Sequence, residues 1–132
     1  MSFRSGDTFL FPLGQDAQRE HLWIIATEPN RDGLFAVVSF TTLKGAKDQT
    51  VILRKAEHPF LRWDTCVAYA LAEIMSVDKL RNYIDCSTAK MHVRATEELL
   101  KLVLDGFSAS AFTKNRVREF VLAHKASRSH AV

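Results

Sequence analysis

The stretch from His21 to Phe40 constrains this chain more than any other. His21–Thr27 (HLWIIAT) and Leu34–Phe40 (LFAVVSF) are both rich in β-branched and aromatic residues. Between them, Glu28–Gly33 (EPNRDG) gathers the residues that end strands and set turns, so the pair predicts a β-hairpin. Neither segment alternates cleanly between apolar and polar side chains. Strands of that kind are buried on both faces of a sheet or close into a barrel.

The rest of the chain reads as strands first and helices last. Thr8–Pro12 is a short apolar strand stopped by Pro12 and Gly14, and Gly14–Glu20 reads as a loop. Leu43–Asp48 (LKGAKD) is a basic loop around Gly45, followed by a short strand at Thr50–Leu53. Pro59 argues against a central strand in His58–Arg62. Thr65–Val77 (TCVAYALAEIMSV) fits helix by propensity and strand by partial alternation, and a strand through Ile74 is preferred. Ser87 is an N-cap candidate for a helix carrying Met91, Ala95, Leu99, Leu102 and Val103, with Gly106 near its stop. Thr113 opens a second helix with Val117, Phe120 and Val121 on one face, and Ala126–Val132 is expected to fray.

At 132 residues, with 47% apolar and 25% charged, the chain fits a single globular domain that needs no disulfide staple. The expected organisation is one domain over 1–132, with a β-rich body and a helical C-terminal end. Disordered, fibrous and low-complexity classes do not fit this composition. Cys66 and Cys86 are too few for a disulfide framework. Met1–Asp7 is polar and Phe9–Leu13 is too short for a signal-peptide core. No apolar run approaches the roughly 18–20 residues that span a bilayer. A cytoplasmic protein with reduced thiols and no membrane partner is expected. The net charge is +3, and the segment from Ala111 onward alone carries +4. A basic end of this kind contacts nucleic acid or an acidic partner, or is simply a solvated helix face.

No metal or cofactor is expected. Gly14 and Gly45 are isolated, so there is no phosphate-cradling glycine loop, and no CxxC or HxxxH spacing occurs. Cys66 sits in an apolar run and reads as a small buried hydrophobe.

An ordered series of short motifs resembles the MazF/PemK-like superfamily of bacterial toxins. It begins with Gly6-Asp7 before an apolar strand and continues through His21–Thr27 to Leu34–Phe40 with Thr41-Thr42 at its end. The basic loop and Thr50–Leu53, then His58-Pro59-Phe60, Asp64-Thr65 and Val77-Asp78-Lys79-Leu80, follow in family order. The likeness covers roughly residues 6–84. It implies an α+β fold: a small SH3-like β-barrel of about five to seven strands over 6–84, with a helical extension over 85–126 packed on it. It also implies a homodimer that cuts single-stranded RNA without metal and is held inactive by a small antitoxin protein. The family's catalytic Thr or Ser maps onto Thr41. Its arginine, usually in an Arg-Pro step, has no counterpart, because this chain has His21-Leu22 there and Arg19 two residues earlier.

The chemistry can also be built from the residues. RNA self-cleavage needs a base for the 2′-hydroxyl, an acid for the leaving 5′-oxygen, and donors on the phosphorane oxygens. Histidine serves either proton-transfer role near neutral pH, so His21 and His58 are candidates. Arg19, Lys44 and Arg62 are candidate phosphate ligands, and Thr41 and Thr42 candidate hydroxyl donors. Phe60, Trp63 and Trp23 are candidate stacking platforms; Trp63, between Arg62 and Asp64, is the better exposed, and Trp23, with apolar flanks, reads as core. The structural alternatives are a strand-edge role for His21, a rigid turn at His58-Pro59-Phe60, and ordinary sheet threonines. Two functions follow: an RNA-cutting toxin, or an inactive barrel of the same kind that binds RNA or a protein, with Lys114, Arg116 and Arg118 as the candidate contacts for a partner.

Overall fold

A computed structural model describes residues 2–13, 16–56 and 61–129. Its centre is one six-stranded antiparallel sheet: β1 (Thr8–Leu13), β2 (Asp16–Ile25), β3 (Leu34–Thr42), β4 (Ile52–Leu53), β5 (Thr65–Ser76) and β6 (Lys90–Met91). The spatial order is β4-β5-β3-β2-β1-β6. The sheet is open: β4 and β6 form its two edges and do not pair with each other, so the expected closed barrel is not formed. Three helices complete the α+β fold: α1 (Val77–Asp85), α2 (Glu97–Ala109) and α3 (Asn115–Ser129). Among the described residues no helix is long and apolar enough to cross a membrane.

The hairpin between β2 and β3 forms as the sequence predicts. The Asn30 side-chain oxygen accepts from the backbone N–H of Asp32 (2.9 Å) and Leu34 (3.0 Å). Gly33 takes the left-handed conformation (φ +74°) that the turn needs. Both faces of the sheet are covered, which accounts for strands without alternation. On one face Ile24, Ala36, Val38, Phe40, Val67 and Tyr69 pack against Leu99, Val103 and Phe107 of α2 and Val117 and Val121 of α3. On the other, Phe9, Trp23, Ile25, Phe35, Val37 and Met75 pack with Phe3 and with Leu80 of α1. Of the two alternatives that the patterning leaves open, two-sided burial is the one realised.

β5 is the strand that the sequence leaves ambiguous, and its register explains why. Val37 pairs with Glu73 but Ser39 pairs with Ala68, so β5 carries three extra residues across this step. An odd insertion moves side chains to the opposite face. Val67 and Tyr69 therefore share a core with Ala72 and Ile74, although their numbers differ in parity.

Four other expectations are corrected. Gly14–Glu20 is not all loop, because β2 begins at Asp16 and pairs with β1. Ser87 caps no helix start. It follows the end of α1, holds a left-handed φ of 61°, and donates its N–H to the Ile84 carbonyl (3.0 Å). The helix expected after it starts only at Glu97, where the Thr96 hydroxyl accepts the Leu99 N–H (3.1 Å). Lys90 and Met91 instead add a strand beside β1. Gly106 is not at a helix stop; it lies inside α2, buried against Tyr69.

Candidate functional site

The pairing of β2 with β3 stops early. Trp23↔Ser39, Ile24↔Val38 and Ile25↔Val37 are in register, and no rung follows below Trp23 and Ser39. There β2 continues to pair with β1, down to Glu20 and beyond, while β3 continues to pair with β5 through Thr42. Each strand thus keeps one neighbour and turns its other edge to the gap. A cleft of about 440 Å³ opens at this fork. Glu20, His21 and Leu22 line one lip, and Phe40, Thr41 and Thr42 the other. Leu61, Arg62, Trp63 and Thr65 close one side, and Leu10 and His92 extend the wall across β1.

Extending the Trp23↔Ser39 register by two residues sets His21 level with Thr41 and on the same face of the sheet. Both are half-buried and both line the cleft. One residue further, Glu20 and Thr42 are level with each other on the opposite face, and both are exposed. The cleft therefore passes between the two strands and gathers residues from both faces.

Five of the candidate residues meet here: His21, Thr41, Thr42, Arg62 and Trp63. Trp63 is 65% exposed, whereas Trp23 is 5% exposed and part of the core, as their flanks predict. Lys44 is exposed in the loop after β3 and does not line the cleft. Arg19 lies in β2, with no side-chain description, and His58 and Phe60 lie outside the described residues. Sequence reasoning missed Glu20 and His92. Neither carries a local signal, since each reaches the cleft only through strand pairing.

The cleft's polar groups are free to act. Among the described residues, the side chains of Glu20, His21, Arg62 and His92 have no hydrogen-bond or ion-pair partner, while Arg54, Arg94 and Arg118 are engaged elsewhere. The segment that presents Arg62 and Trp63 is anchored at its far end. The Thr65 hydroxyl donates to the Trp63 carbonyl (2.8 Å), and the Leu43 N–H to the Asp64 carbonyl (2.9 Å). The Asp64 carboxylate accepts from the Lys55 N–H (2.9 Å) and the Arg54 guanidinium (3.2 Å). Those contacts, the Lys55 N–H first, hold its pKa below the usual carboxylate value. Cys66, the cross-strand neighbour of Thr41, is fully buried; burial above all, with the Asp48 charge second, pushes its thiol up and keeps it protonated. The cleft therefore offers imidazole, carboxylate, guanidinium and hydroxyl groups beside an exposed indole. No group of three or more His, Cys, Asp or Glu placed to hold a metal occurs among the described residues.

Comparison with known proteins found no matching family model, no matching curated protein and no matching solved structure.

Proposed function

We propose that this protein is a divergent MazF/PemK-like endoribonuclease, a toxin that cuts single-stranded RNA without a metal ion. The observation that carries the reading is that His21 and Thr41, level with each other when the β2–β3 register is extended past its last rung, line the two lips of one open cleft. Arg62 and Trp63 stand on the same cleft. In this reading an unpaired base stacks on Trp63 and the adjoining phosphate lies between the lips. His21 carries one of the two proton transfers, taking the 2′-hydroxyl proton or protonating the leaving 5′-oxygen, and water carries the other. The 2′-oxygen bonds to phosphorus, the bond from phosphorus to the 5′-oxygen breaks, and a 2′,3′-cyclic phosphate remains. Arg62 and the Thr41 hydroxyl offset the charge that grows on the phosphorane oxygens. The family's arginine is absent from its usual place, and Arg62 supplies a guanidinium from a different segment. SH3-like topology, a homodimer, a cytoplasmic setting and an inhibitory antitoxin belong to the same proposal and rest on the motif series.

The test is incubation of purified protein with single-stranded RNA in EDTA. Cleavage with a 2′,3′-cyclic phosphate end supports the reading. His21→Ala should slow it roughly 10²–10⁴-fold, the usual size of one proton-transfer group. Thr41→Ala should slow it by up to about 10²–10³-fold, the size of one oxyanion donor. Intact RNA after long incubation with folded protein overturns it and leaves the inactive binding module. The basic end gives that second reading little support. The Arg118 guanidinium donates to the Ser110 carbonyl (2.9 Å) and the Thr113 carbonyl (3.2 Å), and Lys125 pairs with Asp105 (3.2 Å).

A further inference from the structure

His92 lines the cleft but has no part in the chemistry above. It lies one residue beyond β6, and its N–H donates to the Thr8 carbonyl (2.8 Å), which continues the Phe9↔Met91 and Leu10↔Lys90 register. His21 lies opposite Phe11. The two histidines thus start three positions apart along β1 and two strands apart across the sheet, on opposite faces. At about 3.4 Å per residue and 4.8 Å per strand, the backbone separation is on the order of 14 Å. Side chains that leave a sheet on opposite faces point away from each other, so the two imidazoles do not converge on one phosphodiester, where each must come within about 3 Å of its atom. A cleft that reaches both is longer than one reacting centre.

The backbone at His92 is held rigidly. The Thr8 hydroxyl donates to the Val93 carbonyl, the Ala95 N–H donates to the Gly6 carbonyl (2.8 Å), and Arg94 pairs with Asp7 (2.8 Å). The side chain is exposed and has no partner among the described residues. The other charged or titratable groups of the cleft are Glu20, His21 and Arg62; on its own segment Lys90 and Arg94 flank it, and Arg94 is committed to Asp7.

We infer that His92 is the contact for a phosphate flanking the reacting one, so that the cleft takes a strand of several nucleotides. The ligand class rests on the nuclease reading. His92 is a positioning residue here: it holds the strand and does not touch the reacting atoms.

The experiment compares a dinucleotide with an octanucleotide. Each is used as cleavable RNA for kinetics and as a 2′-deoxy, uncleavable strand for fluorescence anisotropy. Wild-type protein should bind the octanucleotide more tightly. His92→Ala should weaken that binding roughly tenfold, the size of one charge-assisted contact, while leaving the dinucleotide unchanged. KM for the octanucleotide should rise with kcat unaltered, and His92→Lys should restore it by supplying another donor to the phosphate. Equal losses on both lengths, a fall in kcat, no effect, or no rescue by lysine would each overturn the proposal. Length-dependent binding through His92 without cleavage by wild type would sink the nuclease reading and keep this one. Cleavage that ignores His92 would do the reverse, and no binding of either strand would remove both.

Discussion

Trp63 and Asp64 are neighbours with opposite tasks, and each gives a measurable outcome. The indole of Trp63 is largely in solvent and contributes little to packing. Trp63→Ala should leave the melting temperature unchanged while weakening single-stranded RNA binding by about 1–3 kcal/mol, the value of one base–aromatic stack. Equal affinity in a fluorescence titration would remove the stacking role. Asp64 holds the segment that presents the indole, and its folded pKa lies below the ordinary value near 3.8. A lowered carboxylate pKa contributes stability that is fully present above the unfolded value and is lost as pH falls through the folded one. Trp63 emission should therefore hold steady above about pH 4 and change only below it. Asp64→Asn should abolish that acid step, and an unaltered step would assign it elsewhere. His21, Thr41, Thr42, Arg62 and Trp63 were legible in the sequence as chemically suitable side chains. Glu20 and His92 were not, because nothing within a few residues of either distinguishes a cleft wall from a solvated strand end.

At the scale of elements, β5 and α2 are held in contact by one missing side chain. The Tyr69 hydroxyl, buried, donates to the Val103 carbonyl (2.7 Å), and desolvation raises its pKa so that it stays protonated. Gly106, one turn further along α2, leaves the room for it: a Cβ there would overlap the Tyr69 hydroxyl and press on Val51. In an open helix Gly→Ala stabilises by about 1 kcal/mol. Here the overlap outweighs that gain, and overpacking of this kind costs typically 1–3 kcal/mol. Gly106→Ala should thus lower stability in a denaturant titration, and an unchanged midpoint would mean that α2 sits further from β5. The same residue shows why sequence alone places this helix end wrongly. A glycine near the end of a periodic run signals a stop unless a side chain from another element needs its space, and Tyr69 is 37 positions away. β6 escaped notice for a related reason. Two residues have no period, and Lys90 and Met91 become a strand only because β1 offers an edge. The hairpin from His21 to Phe40, by contrast, was legible because its turn chemistry is local.

Across the whole molecule, the question is which cations remain available to an anionic partner. The sequence places its positive excess at the C-terminal end, yet the fold uses part of it internally. Arg118 ties the start of α3 to the linker after α2, and Lys125 joins Lys101 on Asp105, whose pKa is lowered first by the Lys101 contact and then by Lys125. That linker is itself tied down, since the Ser110 hydroxyl donates to the buried Asp48 carboxylate (2.7 Å). The cleft holds Arg62, which has no ion-pair partner among the described residues, beside His21 and His92, and Glu20 opposes it. With Arg62 as its one permanent cation among the described residues, the cleft would neutralise about one phosphate of a bound RNA strand. With a slope of about −0.7 per phosphate for single strands, log affinity should fall against log salt with a slope of roughly −0.7. Reversing Lys114 and Arg116 to glutamate should leave that slope almost unchanged, whereas Arg62→Ala should flatten it by about one phosphate's share. A slope steeper than about −4, or one that collapses when Lys114 and Arg116 are reversed, would move the nucleic-acid surface from the forked strands to α3.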